Sequence, residues 1–402
     1  MNRKIASAVL LQSIGPLSLL ALTLYISRVY GAAAQGHFVA AKSWVDLAVA
    51  IACLGLPQSF VIAINKRKES PQALYLGAVL YVLIVLPVIF LLTLSVAKLS
   101  LPYIEAFLIS IGISAIALVS MWRGILLTQD EGTKFHLITA APMFIVVLVV
   151  MLALGAGFDL STTMPRIYMI SGIAAIALAY ALFPWNAVSD LPGGRPNIPR
   201  LIANGAEVFL QATATSLQVY FATRIIGETW GIAEVGFFGV ALLLLNSFGF
   251  PLQALSPLLL NRLSKMSAKK AANAWNSNIS AISVALFAGV CVLALILPYG
   301  IEMISMGNLQ GAERLIQFMV LAAVPMIFAR INSLRLIALG AFRSPAIVAV
   351  FRLSVFIVLS HVAIKVFSFK SLWIIGVIWL AAEVLCALAL RWQLSRHRKV
   401  LG

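Results

Sequence analysis

Long apolar runs separated by short polar breaks follow one another along the whole chain. A helix needs about 20 consecutive apolar residues to span a bilayer, and about twelve runs reach that length. The predicted spans are 5–27, 38–64, 73–97, 104–127, 135–157, 165–185, 201–226, 234–260, 279–300, 315–339, 345–367 and 371–392. The pattern predicts an all-α integral membrane protein with short connections and no separate soluble domain.

Composition agrees with this pattern. Hydrophobic residues make up 62% of the 402 residues, charged residues make up 10%, and the mean hydropathy is +1.03. A soluble domain needs more polar side chains than this to cover its surface. Soluble proteins are therefore excluded, and the bilayer is the solvent for most of the chain.

The positions of Lys and Arg predict the orientation, because cytoplasmic loops are enriched in both. Most of the 29 Lys and Arg residues fall in loops on one side if both termini are cytoplasmic. The sequence thus predicts a multi-pass membrane protein with cytoplasmic termini. The net charge of +16 follows from this topology and needs no nucleic-acid partner. Membrane lipids with anionic head groups are the expected contacts of these basic loops.

An internal repeat links the two halves of the chain. A shift of 196 residues places 25–31, ending in Arg28-Val29-Tyr30-Gly31, over 221–227, ending in Arg224-Ile225-Ile226-Gly227. Arg28 and Arg224 either snorkel from helix ends or have a paired role. Six helices per half give a parallel repeat, which predicts two bundles around a central cavity. The predicted bundles are 1–192 and 193–402.

One pair of opposite charges lies within the second predicted helix. Lys42 and Asp46 are four residues apart, so they lie on the same helix face and can neutralise each other. Charges at membrane depth are costly and usually face a bundle interior or an aqueous cavity. The pair either holds helices together or lines a cavity, where exchange of partners is coupled to transport.

A polar stripe runs along the seventh predicted helix. Its members follow one another at steps of three or four residues: Asn204, Glu207, Gln211, Thr215 and Gln218. Facing lipid, these groups would have no hydrogen-bond partners. The stripe therefore predicts a water-accessible cavity or a dry hydrogen-bond ladder between helices. The eighth predicted helix has a similar stripe, formed by Asn246, Gly249, Gln253 and Ser256.

Prolines and glycines predict kinks in two helices. Pro251 interrupts the eighth predicted helix, and its repeat counterpart, the second, contains Gly55 and Pro57. Proline removes a helical hydrogen bond and bends the helix. Both helices are predicted to kink, which is useful in a bundle that moves.

Two arginines lie inside predicted spans without an acidic residue one turn away. Arg330 either takes a carboxylate from another helix, such as Glu383 or Glu207, or faces an anionic ligand. Arg352 has the same alternatives, but because it lies nearer the end of its span it is expected to snorkel to the membrane interface.

Motifs of catalysis are absent from the sequence. The four histidines have no metal-ligand spacing, and there is no phosphate-binding loop of the G-x-x-x-x-G-K-[ST] kind. No nucleophile motif or carboxylate cluster indicates an active site. The sequence predicts neither an enzyme nor a cofactor or metal site.

The repeated arginine motifs, the segment Gln35-Gly36-His37-Phe38, and the helix endings at Arg123 and Arg335 together resemble the bacterial polysaccharide flippase family. That family belongs to the multidrug, oligosaccharidyl-lipid and polysaccharide exporter (MOP) superfamily. The resemblance spans nearly the whole chain. It implies a cavity lined largely by the first, second, seventh and eighth helices.

The resemblance also implies a function in the bacterial inner membrane. Family members move undecaprenyl-diphosphate-linked oligosaccharides, including O-antigen units, from the cytoplasmic to the outer leaflet by alternating access. Cations would bind the diphosphate and amides the sugar hydroxyls. The implied substrate-binding residues are Arg28, Lys42, Gln211, Gln218, Arg224, Asn246, Gln253 and Arg330. Asp46 and Glu207 are the implied ion-coupling residues. A polysaccharide polymerase and chain-length proteins are candidate partners.

The sequence leaves three alternatives to the flippase, two of which have evidence against them. The main one is a cation-coupled multidrug exporter of the same superfamily, which would need carboxylates to attract cationic drugs. The intramembrane charges are balanced between basic and acidic residues, so composition does not exclude such an exporter. An oligosaccharide polymerase would need a long outer loop, which the predicted connections do not provide. A membrane scaffold would not need the polar stripe of the seventh helix.

Overall fold

The structure is a computed structural model. The residues that it describes are 2–67, 69–96, 102–129, 133–183, 197–264, 292–297, 299–301, 303, 311–338, 341, 343–367, 369 and 371–401. Within these ranges the regular secondary structure is helical. The all-α membrane fold predicted from the apolar runs is confirmed.

Seven helices are described before the middle of the chain. They are α1 (Asn2–Val29), α2 (Gly31–Cys53), α3 (Leu56–Arg67), α4 (Pro71–Val96), α5 (Tyr103–Gln129), α6 (Thr133–Gly155) and α7 (Leu160–Leu182). Asp159 caps α7 by accepting a hydrogen bond from the backbone N–H of Ser161, as is usual for aspartate before a first helical turn.

Six further helices are described after the middle. They are α8 (Ile198–Thr229), α9 (Ile232–Ser264), α10 (Glu313–Leu321), α11 (Ala323–Ala338), α12 (Arg343–His361) and α13 (Trp373–Leu401). A π-helical turn, Val362–Val366, continues α12. Together α10 and α11 form one membrane-spanning segment, Glu313–Ile337.

In the described ranges, nine helical segments are long and apolar enough to cross a membrane. Each corresponds to one of the predicted runs. The run 279–300 lies largely outside the described residues, and the described apolar part of α1, Ser13–Val29, is shorter than a full span. With 32 residues α8 is long enough, but its polar stripe makes it less apolar than the nine.

The chain forms two compact units. Unit 1 comprises Met1–Leu19 and Ala41–Ser216, and unit 2 comprises Leu20–Ala40 and Leu217–Gly402. Three helices, α1, α2 and α8, therefore each contribute residues to both units. The boundary predicted after residue 192 falls in a part of the chain that the structure does not describe, and it stays a prediction.

In unit 1, α5 lies at the centre of the packing. It contacts α3, α4 and α7, and α7 in turn contacts α6. Tyr75 of α4 stacks on Trp122 of α5, with ring centroids 4.4 Å apart. Since stacked aromatic rings bury large apolar areas, this contact fixes α4 against α5.

The second predicted span is broken in unit 1. Leu54 and Gly55, which separate α2 from α3, both have positive φ, 43° and 73°. The break lets Gly55 pack directly on Gly205 of α8, and the Ser59 hydroxyl donates to the Leu201 carbonyl at 2.7 Å. The predicted kink in this helix is a complete interruption.

In unit 2, α13 is the central helix. It contacts α10, α11 and α12, while α9 contacts α10 and α11. The start of α2 lies against the start of α9 so closely that a Cβ on Gly36 would be 1.8 Å from the Ile232 carbonyl oxygen. Small residues permit such close packing of membrane helices, where van der Waals contact drives association.

An ion pair joins the first turn of α5 to the second turn of α7. The Nε and Nη2 atoms of Arg166 donate to Glu105 Oε1 at 3.1 and 2.7 Å. We expect Glu105→Gln to lower the free energy of unfolding by only about 1 kcal/mol, because the Arg166 side chain is 60% exposed and solvent screens the pair. The loss of stability is measured as the change in the midpoint of thermal unfolding in detergent. The midpoints of Glu105→Gln and Arg166→Gln are each compared with that of the wild type. A loss as large as that of a fully buried pair would contradict it.

Candidate functional site

The charged pair predicted in α2 is present in unit 1. The ammonium group of Lys42 donates to the carboxylate of Asp46 one turn later. Their side chains are 25% and 51% exposed, so neither charge is fully desolvated. The prediction that the two neutralise each other is confirmed. Their roles in substrate binding and ion coupling stay predictions.

The first part of the α8 stripe also belongs to unit 1. Glu207 and Gln211 are half-buried, and Asn204 and Thr215 are exposed. The Thr215 hydroxyl donates to the Gln211 carbonyl at 3.0 Å, a contact within the helix that uses the backbone of Gln211. This part of the stripe thus combines a carboxyl group and an amide in partly accessible positions.

The last member of the stripe, Gln218, belongs to unit 2. It is fully buried, and its amide nitrogen and oxygen have no hydrogen-bond partner in the described structure. An unsatisfied buried amide costs about 1–3 kcal/mol. A second buried glutamine, Gln35 of α2, donates to the Thr23 hydroxyl at 3.2 Å while its amide oxygen is unsatisfied. Unit 2 therefore contains two glutamines with unused hydrogen-bonding capacity.

The two arginines of the repeat motif lie at helix ends in unit 2. Arg28 is exposed in the last turn of α1. Arg224, near the end of α8, donates through Nε to Glu228 at 2.9 Å, and Tyr220 provides a further hydrogen bond. Glu228 is not among the site residues predicted from the sequence, although its spacing of four residues from Arg224 is typical of a helical ion pair.

The predicted residues of α9 are described in part. Asn246 is half-buried. Gln253 lies on α9, but its side chain is outside the described part of the structure. Its role as a sugar-binding residue therefore stays a prediction.

Arg330 of α11 lies against α9. Its Nη1 atom donates to the Gly249 carbonyl at 3.3 Å. Its guanidinium is so close to α9 that a Cβ on Gly249 would be 2.3 Å from that nitrogen. The charges of Glu383 and Arg352 both act on it. Glu383, one of the two carboxylates predicted as possible partners for these arginines, makes an ion pair with Arg352.

The expectation that Arg352 snorkels to the interface is wrong. Arg352 Nη1 donates to Glu383 Oε1 at 2.8 Å, and the two side chains are 13% and 2% exposed. A buried guanidinium of this kind requires a carboxylate, because an uncompensated charge in the membrane interior is costly. The pair joins the middle of α12 to α13.

Comparison with known families decides the identity of the chain. Residues 1–259 match the model of a family described as polysaccharide biosynthesis protein. The chain belongs to this family. The resemblance to polysaccharide flippases found in the sequence is confirmed at the level of this family. The search of curated protein sequences found no significant match to this chain.

Solved transporter structures share the fold of this chain. The MATE multidrug transporter DinF-BH matches with a TM-score of 0.73 and 16% identity, over 99% of this chain and 96% of that chain. An inward-facing multidrug resistance MATE family transporter of the MOP superfamily matches with a TM-score of 0.70 and 14% identity, over 99% and 100%. A MATE transporter of Vibrio cholerae, VcmN, matches at 0.68 and 12%, over 99% and 97%. These likenesses show the fold, which consists of two six-helix repeats.

Proposed function

We propose that this protein is a flippase that moves undecaprenyl-diphosphate-linked oligosaccharide from the cytoplasmic to the outer leaflet of the bacterial inner membrane. Its cargo would serve assembly of O-antigen, capsule or exopolysaccharide. Membership in a polysaccharide biosynthesis family and a fold shared with MOP-superfamily transporters support this proposal. We propose that both termini lie in the cytoplasm and that a polymerase and chain-length proteins are the partners.

The polar stripe of α8 is the observation that carries the proposal. A helix that only holds a bundle together has no need for the half-buried Glu207 and Gln211 or for the unsatisfied amide of Gln218. Sugar hydroxyls are donors and acceptors that such amides bind well. The cations Arg28, Lys42, Arg224 and Arg330 are proposed to meet the diphosphate, with Asn246 and Gln253 adding contacts to sugar.

Lys42 and Arg224 each already have a carboxylate partner. For these two residues, a substrate phosphate would have to compete with Asp46 or Glu228. Such competition ties substrate binding to release of a carboxylate, and this would make Asp46 responsive to a proton or cation. Glu207 is the second proposed ion-coupling residue.

We expect glycan-lipid intermediates with complete repeat units to accumulate on the cytoplasmic side in cells that lack this protein. Wild-type protein should remove the accumulation, and Glu207→Gln should reduce export by about tenfold or more, since the loss of one charged contact is worth about 1.5–3 kcal/mol. Glu69→Gln, in the connection after α3, is the control and should export normally. Leaflet-resolved labelling of the glycan measures the result.

Multidrug export is the second candidate, because the solved structures with this fold include multidrug transporters. Cells that lack this protein distinguish a flippase from a multidrug exporter. Normal glycan export together with increased sensitivity to cationic drugs would overturn the flippase proposal. Accumulated glycan lipid with unchanged drug sensitivity would exclude drug export.

A further inference from the structure

The hydroxyl of Tyr168, on α7 of unit 1, is buried without a hydrogen bond. The side chain is 3% exposed, and its oxygen has no hydrogen-bond partner in the part of the chain that the structure describes. A buried hydroxyl without a partner destabilises a fold, and phenylalanine would fill the same space without this cost. The tyrosine therefore indicates that its hydroxyl is used in another conformation.

Contacts between α2 and α5 fix how these two helices lie beside one another. Cys53 Sγ donates to the Ala117 carbonyl oxygen at 3.8 Å. Just after the end of α2, a Cβ on Gly124 of α5 would lie 2.2 Å from the Pro57 carbonyl oxygen. Residue numbers rise together in the two contacts, so α2 and α5 run in the same direction. Asp46 is two turns before Cys53 on the same face of α2, about 10 Å before the first contact.

The packing of α7 on α5 places Tyr168 close to the depth of Asp46. A Cβ on Gly112 of α5 would lie 2.5 Å from the Tyr168 carbonyl oxygen. Gly112 is about 7 Å before Ala117 along α5. Tyr168 and Asp46 therefore lie within one helical turn of the same depth, and the electrostatic interaction between them agrees with this placement.

Lys42 is the hydrogen-bonding partner of Asp46 in this conformation. Under the proposed function, a substrate phosphate competes for the ammonium group of Lys42. A carboxylate that is released at membrane depth is costly unless it finds a new donor. A tyrosine hydroxyl is such a donor, and hydrogen bonds to a carboxylate are about twice as strong as those between neutral groups.

We propose that Tyr168 is the second partner of Asp46. When a substrate phosphate binds Lys42, the carboxylate of Asp46 turns to α7 and accepts a hydrogen bond from the Tyr168 hydroxyl. This inference rests on the proposed flippase function. Tyr168 is a positioning residue, because it acts through Asp46 and does not touch the substrate. The exchange joins α2 to α7 only when substrate is bound, so phosphate binding changes the packing of unit 1.

The exchange is tested first without substrate, in purified full-length protein in detergent. Lys42→Gln removes the first partner of Asp46, so the carboxylate should turn to Tyr168 in this variant. Tyr168→Phe should then lower the midpoint of thermal unfolding by about 2–4 °C in the Lys42→Gln background. In the wild-type background it should leave the midpoint unchanged or raise it, since the lost hydroxyl has no partner there. An equal effect of Tyr168→Phe in the two backgrounds would overturn the proposal.

Tyr81→Phe is the matched control. Tyr81 of α4 is also buried, and its hydroxyl also has no hydrogen-bond partner among the described residues. Its electrostatic interaction is with Cys53 and not with Asp46, so its replacement should have the same effect in both backgrounds. Adding Asp46→Ala to Lys42→Gln should abolish the effect of Tyr168→Phe. If that effect persists without Asp46, Tyr168 does not act through the carboxylate and the proposal is wrong.

A chemical measurement decides the question if Tyr168→Phe does not fold. The Asp46 side chain is 51% exposed and should react with a water-soluble carbodiimide, whereas pairing with the buried Tyr168 should protect it. Its modification, read by peptide mass spectrometry, should fall by about tenfold in Lys42→Gln, the shift that one hydrogen bond to a charged group produces. Undecaprenyl diphosphate should protect Asp46 of the wild type in nanodiscs, and undecaprenol, which lacks phosphate, should not. Faster modification in Lys42→Gln, or equal protection by the two lipids, would contradict the exchange.

Glycan export connects the exchange to transport. In cells whose own copy is deleted, Tyr168→Phe should export about tenfold less than wild type, the value of one hydrogen bond to a charged group, and Tyr81→Phe should export normally. Normal export by Tyr168→Phe would overturn the proposal. The two proposals fail separately. If wild-type protein does not restore export, the flippase function is wrong; if it restores export and Tyr168→Phe has equal effects on stability in both backgrounds, only the partner exchange is wrong.

Discussion

Replacing Glu383 with alanine is expected to lower the free energy of unfolding by about 3–5 kcal/mol, the usual result of removing one partner of a buried ion pair. The remaining guanidinium of Arg352, whose side chain is 13% exposed, would be left without its carboxylate in an apolar surrounding. Few single replacements on this chain should cost more, because a protein of ordinary stability is held by about 5–15 kcal/mol in total.

The matched control for Glu383→Ala is the double variant Arg352→Gln/Glu383→Gln, which removes both charges. Because neither partner is then left uncompensated, most of the stability should return. Thermal unfolding in detergent, followed by loss of the monodisperse peak in gel filtration, measures both. If the double variant is as unstable as Glu383→Ala, the damage comes from lost packing and not from an unpaired charge.

Replacing Gly55 with alanine is expected to have the second-largest effect on stability, on the order of 3 kcal/mol. Gly55 has a φ of 73°, where a side chain is disfavoured by about 1–2 kcal/mol. A Cβ there would also lie 2.2 Å from the Gly205 carbonyl oxygen, so the close contact between α3 and α8 would have to open. Overpacking of this kind costs a further 1–3 kcal/mol.

Gly155→Ala provides the control for Gly55→Ala, because a Cβ at Gly155 meets no atom within 4 Å. It should change stability by no more than about 0.5 kcal/mol, as surface replacements usually do. The two variants are compared by unfolding midpoint under identical conditions. An unchanged midpoint for Gly55→Ala would show that the interruption between α2 and α3 tolerates ordinary helix geometry.

Features that depend on spacing along one helix could be predicted from the sequence. The apolar runs long enough to span the bilayer predicted the helices, since the thickness of the bilayer sets the length of a spanning helix. Lys42 and Asp46 were recognised because residues four apart meet on a helix surface. The same rule indicates the ion pair between Arg224 and Glu228, although the arginine repeat by itself does not.

Features that depend on packing between helices could not be predicted in the same way. Arg352 and Glu383 are separated by 31 residues, and nothing in the pattern of either helix indicates which of its faces meets the other. Gly249 was included in a polar stripe, whereas its structural importance comes from the guanidinium of Arg330 beside it. Gly55 and Pro57 predicted a bend, but not the complete break that lets Gly55 pack on Gly205 of α8.

The interleaved composition of the two units has a consequence for how the chain is assembled during synthesis. Unit 2 joins Leu20–Ala40 to Leu217–Gly402, which are made only after the intervening residues of unit 1. Contacts between residues so distant in sequence form slowly, because a long loop must close first. Until α9 emerges from the ribosome, Gly36 has no Ile232 to pack against. The earlier segment must therefore be sheltered by lipid or by the insertion machinery while the residues between it and α9 are being translated.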